Sequence, residues 1–151
     1  MAMPSMPEKN TGSMFASMTG NHVALRVPYL ELAKQWYVAK LDFRLVTEWG
    51  FDDLNLAYLA PAADDSFLLE LIGGSYTQSK PQYSDLRDSL RLAGFHHLCL
   101  MVDSVDDTVA ELQRRDVKIV AEPFNLEEIS RRLAFIADPW DNLIEFAEVL
   151  R

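Results

Sequence analysis

The sequence predicts an α+β domain in which one βαβββ module is used twice, and three observations predict it. The stretch Asn21-His22-Val23-Ala24-Leu25-Arg26-Val27 is nearly repeated by His96-His97-Leu98-Cys99-Leu100-Met101-Val102. A second pair, Leu68-Leu69-Glu70-Leu71 and Leu143-Ile144-Glu145-Phe146, sets one carboxylate inside an apolar strand in each half. The spacing is common to both pairs: 22 to 97 and 70 to 145 are each 75 positions. An internal repeat fixes the architecture before any single element does. The expected domain covers 21–150, with module 1 at about 21–72, a linker at 73–94 and module 2 at about 95–148. Residues 1–20 are expected to be a mobile tail.

Taken in order, residues 21–27 alternate as a strand, which Pro28 ends because it cannot donate a ladder hydrogen bond. From Tyr29 to Lys40 the apolar residues Leu30, Ala33, Tyr37 and Leu41 fall on a helical stripe. Residues 42–48 and 54–60 read as a hairpin with its turn at Gly50 to Asp53, and 66–72 as a fourth strand. In the linker, Ser84 is the expected N-cap of a short helix carrying Leu86, Leu90 and Ala93, which Gly94 stops. The second copy follows as a strand at 95–102, a helix at 105–115, and strands at 117–121, 132–137 and 142–148.

Strand alternation then sorts the faces. His22, Ala24 and Arg26 point one way and Val23, Leu25 and Val27 the other. In module 2, His97, Cys99 and Met101 share a face, as do Leu143, Glu145 and Ala147. His22, Glu70, His97 and Glu145 therefore all interrupt apolar strands on the side away from the helices. A curved, cup-shaped mixed sheet with helices on its convex face would point all four into its hollow. Two imidazoles and two carboxylates converging there make a divalent metal site of mixed N and O donors, suited to Zn, Ni, Mn, Co or Fe. His96 faces the other way and is expected at a strand edge or near solvent. Arg26, Cys99 and Met101 lie on the ligand face and are the expected substrate contacts. Tyr58 and Trp49 read either as pocket wall or as core.

Composition narrows the function. The net charge of −9 over 151 residues argues against nucleic acid and anionic membranes, which call for a basic patch. No run reaches the roughly 18 apolar residues of a membrane span, and residues 1–20 hold no apolar stretch of a signal peptide. The single cysteine rules out an internal disulfide and fits a reducing compartment, so a cytoplasmic location is expected. There is no Gly-rich phosphate loop, no nucleophile-elbow serine and no CxxC.

These residues resemble the vicinal oxygen chelate superfamily, which includes glyoxalase I, methylmalonyl-CoA epimerase, extradiol dioxygenases, fosfomycin-resistance thiol transferases and bleomycin-binding proteins. The matching pieces are His22-Val-Ala-Leu-Arg-Val, Phe67-Leu-Leu-Glu70-Leu, Gly94-Phe-His-His97-Leu-Cys-Leu and the run from Ala134 through Asp138-Pro-Trp-Asp141 to Glu145-Phe. The resemblance implies paired modules around a metal that chelates two neighbouring substrate oxygens. Keeping all four ligand positions is most similar to glyoxalase I, a metal-dependent lyase, with Glu145 as the base and Glu70 serving the opposite face. An Fe(II) extradiol dioxygenase and a non-enzymatic small-molecule or antibiotic-binding protein are the alternatives. Dioxygenases use two His and one Glu, and bleomycin-binding members lack the ligands. The resemblance also implies a homodimer, with the metal site either within one chain or across the interface. Arg26 matches the arginine that contacts the glutathione carboxylate. Gly74, however, stands where glyoxalases often carry a glutathione-holding Asn, so the resemblance stops short of glutathione as cosubstrate.

Overall fold

A computed structural model describes residues 5–75 and 78–150. The first four residues of the tail and residues 76 and 77 of the linker lie outside the described residues. Module 1 consists of β1 (His22–Arg26), α1 (Leu30–Leu41), β2 (Arg44–Phe51), β3 (Leu54–Ala60) and β4 (Leu68–Ile72). The linker contributes a one-turn helix, α2 (Leu86–Ser89). Module 2 repeats the order as β5 (His97–Met101), α3 (Val105–Arg114), β6 (Lys118–Leu126), β7 (Arg131–Ala137) and β8 (Leu143–Val149).

Each module forms its own four-stranded sheet, in the orders β1-β4-β3-β2 and β5-β8-β7-β6. In both sheets the first strand pairs in parallel with the last and the other pairs are antiparallel. The register repeats as well. His22 lies beside Leu68 and Ala24 beside Glu70, while His97 lies beside Leu143 and Cys99 beside Glu145. A one-residue slip would turn every one of these side chains to the opposite face, so the common register gives both His–Glu pairs the same placement.

The helix-facing sides of the two sheets share one core. Leu25, Val27, Leu59, Leu69 and Leu71 from module 1 join Leu98, Ile136, Ile144 and Phe146 from module 2, with Ala33 and Tyr37 of α1 and Val109 and Leu112 of α3 between them. Polar links tie the same junction. Tyr37 donates to Asp138 Oδ2 at 3.0 Å, and Arg115 forks onto both oxygens of Asp42 at 2.8 and 3.0 Å. The ligand-type residues therefore lie on the outer faces of the two sheets, away from the shared core.

Several boundaries differ from the sequence expectation. The hairpin turn is Asp52-Asp53, since Asp52 takes a left-handed conformation (φ 52°) and pairing continues to Phe51 opposite Leu54. Gly50 stays inside β2. The N-cap of α2 is Asp85, whose side chain accepts from Asp88 N at 2.8 Å; Ser84 N in turn donates to Asp88 Oδ2. This is the reciprocal pattern of a capping box shifted by one residue. β6 runs five residues past its expected end because two register shifts let it stay paired with β7. In the tail, successive turns between Asn10 and Met18 are closed by backbone hydrogen bonds of 2.9–3.3 Å.

Candidate metal half-sites

Module 1 assembles its half-site on three neighbouring strands. His22 Nε2 on β1 lies 3.4 Å from Glu70 Oε2 on β4. Tyr58 on β3 is the cross-strand partner of Glu70, and its ring lies 5.3 Å from the His22 ring and 4.6 Å from Trp49 on β2. Trp49 and Tyr58 are thus the wall of this face and stand outside the shared core.

Module 2 repeats the arrangement. His97 Nε2 on β5 lies 2.6 Å from Glu145 Oε2 on β8. Phe135 on β7 is the cross-strand partner of Glu145, and its ring meets His97 edge-on at 5.3 Å. Phe124 stacks on the outer side of Phe135. Each half-site therefore holds an imidazole, a carboxylate and an aromatic ring on the strand beside the carboxylate. The ring escaped the sequence reading because 58 and 135 are 77 positions apart. The connection between the third and fourth strands is two residues shorter in module 2, which takes the ring out of the repeat's register.

The structure brings His22 to Glu70 and His97 to Glu145, and it does not bring the two pairs together within one chain. Among the described residues no group of three or more His, Cys, Asp or Glu is placed to hold a metal ion. The donor chemistry of each pair, one imidazole nitrogen and one carboxylate oxygen, fits a divalent cation, but two donors are half of a tetrahedral set. His96 flanks the edge strand β5, as its position implies, but is not free in solvent. It is half-buried, with Nε2 3.0 Å from Ser89 Oγ and Nδ1 2.8 Å from His97 Nδ1. The reason is α2, which sets Ser89 against it. Burial, followed by the neighbouring His97 and Lys80, lowers its pKa below the usual histidine value.

The expected substrate contacts fare differently. Arg26 donates to the carbonyls of Ile72, Gly73, Gly74 and Ser75 at 2.6–3.3 Å, clamping the chain where β4 runs into the linker. Gly74 there has φ 109°, and a Cβ on it would meet Leu54 Cδ2 at 2.8 Å. The departure from the glyoxalase Asn thus has a backbone cause. Cys99 and Met101 are exposed on the edge strand β5. They border a cleft of about 750 Å³ between the modules, with Lys40, Phe43 and Phe146 among its walls and neither His97 nor Glu145. Partial shielding of the Cys99 thiol, reinforced by the Glu145 carboxylate, pushes its pKa up to about 11, so it is a poor thiolate. Arg131 lies on the Glu145 face of β7, opposite Val149.

The turn into β8 is set by Asp138, which is 2% exposed. Its Oδ1 accepts from the Trp140 and Asn142 backbone N–H groups at 2.9 Å each, and Oδ2 from Asn142 Nδ2 at 2.8 Å and from Tyr37. Asp141 takes the left-handed conformation (φ 60°), which its short polar side chain tolerates. Burial raises the Asp138 pKa against the hydrogen bonds that lower it, and burial also holds the Tyr37 hydroxyl well above its usual value.

Comparison with known proteins agrees with this architecture. YwkD of Bacillus subtilis, described as an uncharacterised protein, is 27% identical over 120 residues, covering 79% of this chain and 88% of its own. A glyoxalase family protein of Enterococcus faecalis superposes with a TM-score of 0.69 at 21% identity, over 84% of this chain and 94% of the other. Glyoxalase I of Zea mays superposes with a TM-score of 0.65 at 20% identity over 86% of this chain, which spans 44% of that larger protein. The family model of the glyoxalase/bleomycin resistance protein/dioxygenase superfamily matches residues 19–146, and the chain belongs to that superfamily.

Proposed function

We propose that the protein is a metal-dependent lyase or isomerase of the glyoxalase type, acting on a small molecule with two neighbouring oxygens. One observation carries the reading: an imidazole Nε2 faces a carboxylate in both modules, at 3.4 and 2.6 Å, on equivalent strands in equivalent register. A His–Glu pair retained in both copies, although their other side chains have diverged, is the pattern a ligand set built from both modules would leave. His22, Glu70, His97 and Glu145 would hold one divalent ion. That ion would supply positive charge against the two substrate oxygens, lowering the cost of the enediolate left by proton removal.

The remaining chemistry belongs to the chain. Glu145 is the base that takes the substrate proton, and Glu70 serves the opposite face. Phe135, Tyr58 and Trp49 wall the carboxylates from water, which strengthens electrostatic interactions at the reacting atoms. Substrate contacts are expected from Cys99 and Met101 at the rim. Arg26 would add an anion contact only by giving up linker carbonyls.

Because one chain presents two separated half-sites, the reading requires a homodimer in which module 1 of one copy meets module 2 of the other. β1 and β5 support this, since each pairs on one side and ends its sheet in an open edge. No helix of the described residues is long and apolar enough to cross a membrane, and a cytoplasmic location is part of the same proposal.

Subunit mixing tests it. Homodimers of His22→Ala or His97→Ala would each have a ligand missing from both sites. Their heterodimer would combine the two intact modules in one of its sites, so mixing should restore metal binding and turnover of 2-oxoaldehyde–thiol adducts. Bound iron with oxygen uptake on catechols would replace the lyase by a dioxygenase. No metal uptake at all would sink both enzymes and leave a ligand-binding protein.

A further inference from the structure

Each ligand-type histidine follows a residue that reaches its other ring nitrogen. Asn21 Oδ1 lies 2.8 Å from His22 Nδ1, and His96 Nδ1 lies 2.8 Å from His97 Nδ1. The repeat thus extends one position before the histidine, to 21 and 96, with the role kept and the residue type changed.

In both modules the direction of these bonds can be derived. A carboxamide oxygen only accepts, so His22 carries a proton on Nδ1. In module 2 a single hydroxyl proton decides the matter. Ser89 Oγ donates to the Leu86 carbonyl at 2.6 Å, so its bond with His96 Nε2 at 3.0 Å is one it accepts. His96 therefore carries its proton on Nε2, its Nδ1 is a lone pair, and His97 Nδ1 donates to it. With Nδ1 as the donor, each histidine turns Nε2 toward its carboxylate. A bare lone pair and a carboxylate oxygen repel at such distances, so a cation joins each pair: a proton on Nε2, or a divalent ion that takes its place.

We infer that Asn21 and His96 are positioning residues, which hold His22 and His97 with the proton on Nδ1 so that each Nε2 and its facing carboxylate form a half-site for a divalent cation. The cation rests on the metal reading above; the proton placement does not. An outer partner of this kind fixes both ring orientation and tautomer of a metal-ligating histidine. The two modules differ in stiffness. The module 2 chain ends on Ser89, which is 2% exposed, whereas Asn21 is exposed. Loss of His96 should therefore be felt more than loss of Asn21.

The test uses the full-length, metal-free protein. Long-range 1H–15N spectra locate the imidazole protons, and with three histidines in the chain each is assigned by substitution. Zinc affinity is then measured by competition with a chromophoric chelator. The expected result is a proton on Nδ1 of His22 and His97. His96→Ala should weaken zinc binding by about 10- to 100-fold and scramble the His97 proton between its nitrogens. His96→Asn, which offers an oxygen as Asn21 does, should recover most of both. A packing role alone would lower thermal stability in His96→Ala without moving the His97 proton. An unprotonated His97 Nδ1 in the wild type, or wild-type zinc affinity in folded His96→Ala, overturns the inference. A wild type that keeps both Nδ1 protons yet takes up no zinc overturns the metal reading and leaves the proton assignment standing.

Discussion

Tyr37→Phe isolates one hydrogen bond at the junction of the two modules. The Tyr37 side chain is fully buried and its hydroxyl donates to Asp138 Oδ2 at 3.0 Å. Removing the oxygen leaves little void, so the change acts through the carboxylate, which is itself buried. A hydrogen bond to a charged group contributes about 1.5–3 kcal/mol net. Asn142 Nδ2 still donates to the same oxygen at 2.8 Å, which places the loss in the lower half, about 1.5–2 kcal/mol. For a chain of this size that is a fall in Tm of about 3–8 °C. The pH dependence follows from the direction of the Asp138 shift. Burial holds its pKa above the usual value of 3.8, so the native state binds this proton more readily than the unfolded chain. Its contribution to stability is greatest below 3.8, falls as pH rises through the native value, and is constant above it. Without the Tyr37 hydroxyl the native value rises further. The deficit of the variant is therefore full at neutral pH and shrinks in acid, where a protonated carboxyl makes a neutral bond of about 0.5–1.5 kcal/mol. Urea denaturation of both proteins at about pH 7 and pH 4 measures it. A deficit under about 0.5 kcal/mol at neutral pH, or one that stays constant on acidification, would refute the reasoning.

Glu145→Gln should keep the fold but weaken metal binding, and at saturating metal its turnover should fall about 10²- to 10⁴-fold; full turnover with metal bound would remove Glu145 as the base. Gly74→Asn should cost about 1–3 kcal/mol in denaturant melts, through the left-handed φ and the Leu54 contact, and it should confer no glutathione binding in calorimetry. Arg26→Met should leave the four carbonyls from Ile72 to Ser75 without that donor and speed amide exchange locally around the end of β4. Unchanged exchange there would show that the clamp does not hold the linker.

Much of the fold was legible because two periods coincide in this sequence. Alternation along 22–26 and 97–101 gave the faces, and the 75-residue offset gave the repeat, with a His opening and a Glu closing each copy. Alternation assigns a side chain to a face, yet it is blind to where that face points. Whether the four ligand positions meet within one chain or across an interface is open for that reason in the sequence, and in the structure α1 and α3 pack into a common core that leaves the two ligand faces apart. Arg26 was placed on the right face but given the wrong neighbour, because backbone carbonyls of a linker leave no pattern in a sequence. His96 was read from its facing alone, and the Ser89 beneath it belongs to a helix of one turn. Phe135 was hidden by a loop two residues shorter than its counterpart.

The shared core has a consequence for how such a chain could have arisen. Each half of the sequence encodes a complete βαβββ unit, yet its helix-side apolar surface is covered by the other half. A half-length ancestor would have needed a twin to bury that surface, and gene fusion would have made the pairing permanent. The present chain should retain a trace of that history. Cut in the linker and expressed as two polypeptides, the halves should be insoluble or unfolded apart and should reassemble when produced together.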